Sequence, residues 1–174
     1  WELRLPRTAA AFVSGGLLAV AGALMQVLLR NPLADPYVLG VSGGASAAVL
    51  AAMLLAVPDV WLTPAALSGA LLSTLLVFGL AHSGDDWRSD RLLLTGIVIA
   101  AGWSALISFV LSISPPVQLP GMLFWLMGDL GDATEPGVPL VILVAGLAVT
   151  MLRARDLNIA TQGLLQAAAL GVNT

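Results

Sequence analysis

Five apolar runs, each near or above the length of a helix that crosses a lipid bilayer, constrain this chain more than any other feature of its sequence. About 20 predominantly apolar residues are needed to cross the hydrocarbon core as a helix, in which every backbone polar group is satisfied within the segment. Runs of this kind occupy residues 8–29, 37–57, 62–82, 92–113 and 136–152. The predicted fold is therefore all-α, a polytopic helical membrane protein with five spanning helices. Residues 120–128, PGMLFWLMG, are as apolar but too short to cross, and read as a short helix lying on the membrane surface or dipping into it. Composition agrees: charged residues are 10% of the chain, against about 25% in soluble domains. The core of each run is free of Asp, Glu, Lys and Arg. That excludes, for this stretch, the intramembrane ionisable residue on which proton or ion coupling depends.

The seven basic residues are all arginines, and they fix the orientation. Loops after the first, third and fifth runs share one side and hold Arg30, Arg88, Arg91, Arg153 and Arg155. On the other side lie Arg4 and Arg7, in the stretch RLPR, and then VPDVWLTP and GDLGDATEP, which have no basic residue. The positive-inside rule sends the five arginines to the cytoplasm and RLPR to the outer face. Two arginines on the translocated side run against that bias. Either they snorkel to outer-leaflet headgroups, or they form an exposed basic pair for carboxylates of a soluble partner, since Arg makes planar bidentate pairs that orient as well as attract.

Four other stretches carry candidate chemistry. In NPLADPYVLGVSGG, residues 31–44, two X-Pro steps disfavour helix and force a cytoplasmic turn. Such irregular backbone is either a plain connection or the border of a pathway, because at membrane depth it needs protein or water around it. GVSGGAS, residues 40–46, fits G-x-S-x-G around Ser42. A nucleophile elbow needs a strand before the serine and a base and acid within reach. Here the surroundings are helical, His82 is the single imidazole, and Asp85 and Asp86 lie beside it in sequence, so Gly40, Gly43 and Gly44 read better as small residues for close helix packing. Gly96, Ala100, Ser104, Ser108 and Ser112 recur every four residues in the fourth run. They form either a packing face with back-bonded hydroxyls or the lining of a path. The last stretch, RARDLNIATQGLLQAAALGVN, places Asp156 near an N-cap and Leu170-Gly171 at a stop, and reads as a helical segment outside the membrane. Without cysteine and with one histidine, the sequence offers no thiolate or histidine-built metal site, no cofactor is expected, and it has no phosphate-binding G-x-x-x-x-G-K-[ST] loop.

RLPRTAAAFVSGGLLAVAGALMQVLLRNPLADPYVLGVSGGASAAV, then RLLLTGIVIAAGWSAL, FWLMGDLG and LNIATQGLLQAAALGVN, together resemble the FecCD-type permease subunits of ABC importers for ferric siderophores, haem and cobalamin. The resemblance covers nearly the whole chain in the family's order. It implies a ten-helix permease that works as a dimer, of which residues 1–174 match the second to sixth helix. With no initiator methionine and no signal peptide, the chain is expected to be one transmembrane permease domain truncated at both ends. The implied location is the bacterial inner or plasma membrane. Implied partners are a cytoplasmic ATP-binding subunit, an extracytoplasmic substrate-binding protein and a second permease subunit, with no nucleic acid and no enzymatic activity.

The resemblance also assigns residues. Arg4 and Arg7 match arginines on which the binding protein docks. Asn31, Leu33, Ser89 and Asp90 match the cytoplasmic gate, Asp90 adding a charge where small polar residues are expected. Ser104, Ser108 and Ser112 fall on the helix that lines the translocation path. Leu157, Asn158, Leu164, Leu165, Leu170 and Gly171 match the segment that couples to the ATPase, the bland alternative being a surface-lying amphipathic helix. Phe124, Trp125 and Met127 serve either the docked lobe or an aromatic anchor. The rival classes are a non-transporting membrane scaffold or inactive segment and, last, an intramembrane serine hydrolase. Substrate identity lies outside such a chain, since selectivity in these importers resides largely in the binding protein.

Overall fold

The computed structural model describes residues 4–82, 89–131 and 136–161. Among them lie seven α-helices: α1 (Arg4–Leu29), α2 (Val41–Leu54), α3 (Leu62–Ala81), α4 (Ser89–Ile113), α5 (Leu119–Met127), α6 (Gly137–Leu152) and α7 (Ala154–Ala160). Short 3-10 turns at Pro36–Leu39 and Asp59–Trp61 precede α2 and α3. The all-α expectation holds, with no strand among the described residues.

Of these helices, α1, α3 and α4 are long and apolar enough to cross a membrane, and α6 qualifies when taken together with α7 across a 66° bend. The second run differs from its expected length. At 1.5 Å per residue the 14 residues of α2 rise about 21 Å, short of the roughly 30 Å hydrocarbon core. Its start is held back by Pro36 and by Gly40, whose φ of 64° is left-handed and breaks the helical path. Its end is a Schellman turn: Val57 N–H donates to the Ala52 carbonyl (3.0 Å) and Ala56 N–H to that of Met53 (3.0 Å). Ala56 therefore sits where glycine is usual, at φ 53°. Ala56→Gly is expected to stabilise the chain by about 1 kcal/mol. The readout is a higher unfolding midpoint in detergent, and an unchanged or lower midpoint would count against this turn.

The helices group into two compact units, one holding α1, α6 and α7 and the other α2 to α5. In the first, Gly16 lies under Leu143 and Gly146 opposite Val20. These pairings advance together along both helices, so α1 and α6 run parallel. Arg30 and Arg153, at their two C-terminal ends, thus share one end of the unit, as the charge rule requires of the first and fifth runs. In the second unit, Gly44 and Gly69 meet backbone to backbone, and a Cβ on either would strike the other's carbonyl. Gly40 approaches Ser73, so α2 and α3 are antiparallel. Gly96 lies under the Val38 carbonyl and Gly43 under Trp103, which sets α4 parallel to α2. Leu50, Val110 and Met122 form the buried core that joins α2, α4 and α5.

Candidate functional site

The candidate residues divide between the two units. In the first, RLPR is the opening turn of α1. Pro6 is tolerated in it because the first-turn N–H groups have no intrahelical acceptor. Arg4 and Arg7 are both exposed. Arg7 donates from Nη2 to the Gly131 carbonyl at 3.2 Å, and Gly131 N–H donates to Asp129 Oδ1 at 2.8 Å.

At the other end of α1 the chain closes a second Schellman turn. Asn31 N–H bonds the Gln26 carbonyl (3.1 Å), and Arg30 takes the left-handed position at φ 47°. Asn31 Oδ1 then accepts the Leu33 N–H at 2.9 Å, an Asx turn that lets a short polar side chain stand in for backbone. Asn31 is thus a turn-maker first, while Leu33 is 88% exposed. The other two gate candidates belong to the second unit, where Ser89 and the exposed Asp90 open α4.

The four-residue repeat on α4 is not one straight stripe. Each step of four residues turns about 400° around a helix of 3.6 residues per turn, so the repeat precesses about 160° between positions 96 and 112. Gly96 and Ala100 accordingly pack against Val38 and Gly40, while Ser104, Ser108 and Ser112 come out exposed. Ser104 and Ser108 donate back to the carbonyls of Ala100 (3.0 Å) and Ser104 (2.9 Å).

The coupling candidates are only partly within reach. Leu164, Leu165, Leu170 and Gly171 lie outside the described residues. Leu157 is half-buried and, with Asn158, lines an apolar groove of about 440 Å³ shared with Ala19, Ala23 and Val27 of α1 and Met151 of α6. Asp156 is not the cap: Arg153 holds that position, and Asp156 falls in the first turn of α7, 3.9 Å from the Arg153 guanidinium. A carboxylate there still favours the helix dipole, though so exposed a pair adds little.

Ser42 lies in the first turn of α2 after a 3-10 turn, without the strand an elbow requires. His82 is the exposed C-cap of α3. Phe124 and Met127 are 60% and 83% exposed on α5, whereas Trp125 packs against the Leu50–Val110–Met122 core.

One cluster escaped sequence reasoning. Ser73, fully buried in α3, places its hydroxyl 2.9 Å from the Gly40 carbonyl and 3.1 Å from that of Leu39, and accepts the Trp103 indole N–H at 3.0 Å. It ties α3 and α4 to the turn that starts α2.

The family model of the FecCD transport family matches residues 1–174. Over 176 residues the chain is 36% identical to the vitamin B12 import system permease protein BtuC of Escherichia coli O127:H6, covering 99% of this chain and 53% of that protein. The same permease of Escherichia coli strain K12 is 35% identical with the same coverage. A chain described as a metal-chelate type ABC transporter in an inward-facing conformation superposes with a TM-score of 0.83 at 28% identity, over 99% of this chain and 56% of its own length. The chain spans about half the length of the curated relatives it matches.

Proposed function

The chain belongs to the FecCD transport family, and from that premise we propose that it is membrane-spanning permease sequence of a binding-protein-dependent ABC importer. The proposed cargo is an iron-siderophore, haem or cobalamin-type compound, and the proposed energy source is ATP hydrolysis on a separate subunit. The observation that carries the reading is the family match along the whole chain, reinforced by the similarity to a vitamin B12 import permease. In this reading Arg4 and Arg7 receive acidic residues of the substrate-binding protein on the outer face. Asn31, Leu33, Ser89 and Asp90 narrow the cytoplasmic exit, and the exposed hydroxyl face of Ser104, Ser108 and Ser112 lines the path of a bulky substrate. Leu157, Asn158, Leu164, Leu165, Leu170 and Gly171 engage the ATP-binding subunit, and a second permease subunit completes the path.

The test uses the assembled transporter containing this chain, in lipid nanodiscs. Arg4→Glu with Arg7→Glu is expected to weaken binding-protein affinity about tenfold at low salt, since reversal turns two modest exposed attractions into repulsions. The loss should shrink as salt is raised past a Debye length of about 8 Å. Unchanged affinity would return both arginines to headgroup anchoring.

A further inference from the structure

Arg4 and Arg7 look equivalent in the sequence, one turn apart on the outer end of α1, but their surroundings differ. The Arg7 guanidinium is already held: Nη2 donates to the Gly131 carbonyl at 3.2 Å. That carbonyl is itself presented by a closed turn, because Gly131 N–H donates to Asp129 Oδ1 at 2.8 Å across two residues. A Cβ on Gly131 would fall 2.6 Å from Asp129 Oδ2, so a side chain there would push the carboxylate away from its turn-closing position. A carboxylate, a residue without a side chain and a carbonyl thus form a small cradle against α1.

We propose that Asp129 is a positioning residue for Arg7: its carboxylate closes the turn that aims the Gly131 carbonyl at the guanidinium, and so pre-orders one of two docking arginines. This rests on the docking reading above. An arginine immobilised on binding forfeits side-chain entropy, and one held beforehand forfeits less. One Nη2 hydrogen serves the tether, and the rest of the five-donor fork serves a partner's carboxylate. The division of labour follows. Arg7 sets how long the partner stays, and Arg4, without a described acceptor on its side chain, mainly sets how fast it arrives.

The proposal is tested in the assembled transporter, with binding-protein association and dissociation followed on nanodiscs. Asp129→Ala and Gly131→Ala are expected to weaken affinity roughly three- to tenfold through faster dissociation. Asp129→Asn, which removes the same charge but keeps the turn-closing oxygen, should stay within about twofold. The Asp129→Ala effect should vanish in an Arg7→Ala background and persist in an Arg4→Ala background. Equal losses for Asp129→Asn and Asp129→Ala would overturn the proposal in favour of a simple charge effect, as would full additivity with Arg7→Ala. A second readout separates this inference from the docking reading. Residues 1–174 hold no cysteine, so in a transporter otherwise freed of cysteine a trifluoromethyl label on Leu130→Cys reports the turn by fluorine NMR. Its line should sharpen in Asp129→Ala and Arg7→Ala but not in Asp129→Asn or Arg4→Ala. If charge reversal at Arg4 and Arg7 leaves affinity unchanged while the line responds in this way, docking fails and the positioning role stands. If the line responds to none of these variants, the positioning role falls.

Discussion

Gly69→Ala is expected to destabilise the chain by about 3 kcal/mol, while Gly79→Ala, ten residues along the same helix, leaves it unchanged or stabilises it by up to about 1 kcal/mol. The chemical change is identical and only the surroundings differ. A Cβ at Gly69 strikes the carbonyl of Gly44 and crowds Ala48, and backbone cannot rotate away as a side chain can. A Cβ at Gly79 meets nothing within 4 Å and only gains helix propensity. Within a bilayer no hydrophobic force holds α2 to α3, so their association depends on close van der Waals approach, which one methyl group on each axis would prevent. Gly44→Ala should behave like Gly69→Ala, since its Cβ meets the Gly69 carbonyl and Ser73 Cβ. Unfolding midpoints of the three variants in a common detergent decide the matter. Equal shifts at positions 69 and 79 would refute the close crossing.

That crossing also shows where a sequence is legible and where it stops. The long helices α1, α3 and α4 follow from uninterrupted apolar runs, because length and hydropathy are local properties. The need for small residues at Gly40, Gly43 and Gly44 was readable in the same way, but their partners Gly69, Ser73, Trp103 and Ala100 were not, since pairing is decided by tertiary register. The second helix came out shorter than its apolar run because two left-handed residues bracket it, Gly40 and Ala56. The first carries a glycine signal, and the second is an alanine that nothing local marks. The α4 repeat divides between packed and exposed positions for a geometric reason, as a spacing of four is close to, but not equal to, the helical period. Asp156 shows that a good capping residue near a helix start is still one turn away from being the cap. For the candidate site, RLPR announced its charge and its place at a helix start. The tether from Arg7 to Gly131 spans 124 residues of sequence and could be seen only once α1 and the segment before α6 were placed.

Ser73→Ala is expected to cost about 2 kcal/mol, a large effect for one oxygen atom. Interhelical hydrogen bonds in membranes average only about 0.6 kcal/mol, because the unfolded chain finds other partners. Here a single hydroxyl serves three groups. Its one proton goes to the Gly40 or the Leu39 carbonyl, and a lone pair receives the Trp103 indole N–H. Removing it strands the Trp103 indole N–H, while the Gly40 carbonyl keeps the Gly44 N–H at 2.9 Å, and an unmet buried polar group costs about 1–3 kcal/mol. A double-mutant cycle isolates the indole's share. Trp103→Phe keeps most of the ring and deletes the N–H, so Ser73→Ala should cost about 1 kcal/mol less in that background than in the parent. Additive losses would mean that the indole and the hydroxyl do not communicate, and that α4 is held by packing such as that of Gly96 and Ala100 on the Pro36–Gly40 turn. Non-additive losses would make Ser73 the polar pin between α3, the helix of the exposed serine face, and the turn that starts α2. In that case the exposed Ser104, Ser108 and Ser112 keep their place partly through a buried residue that sits on a different helix.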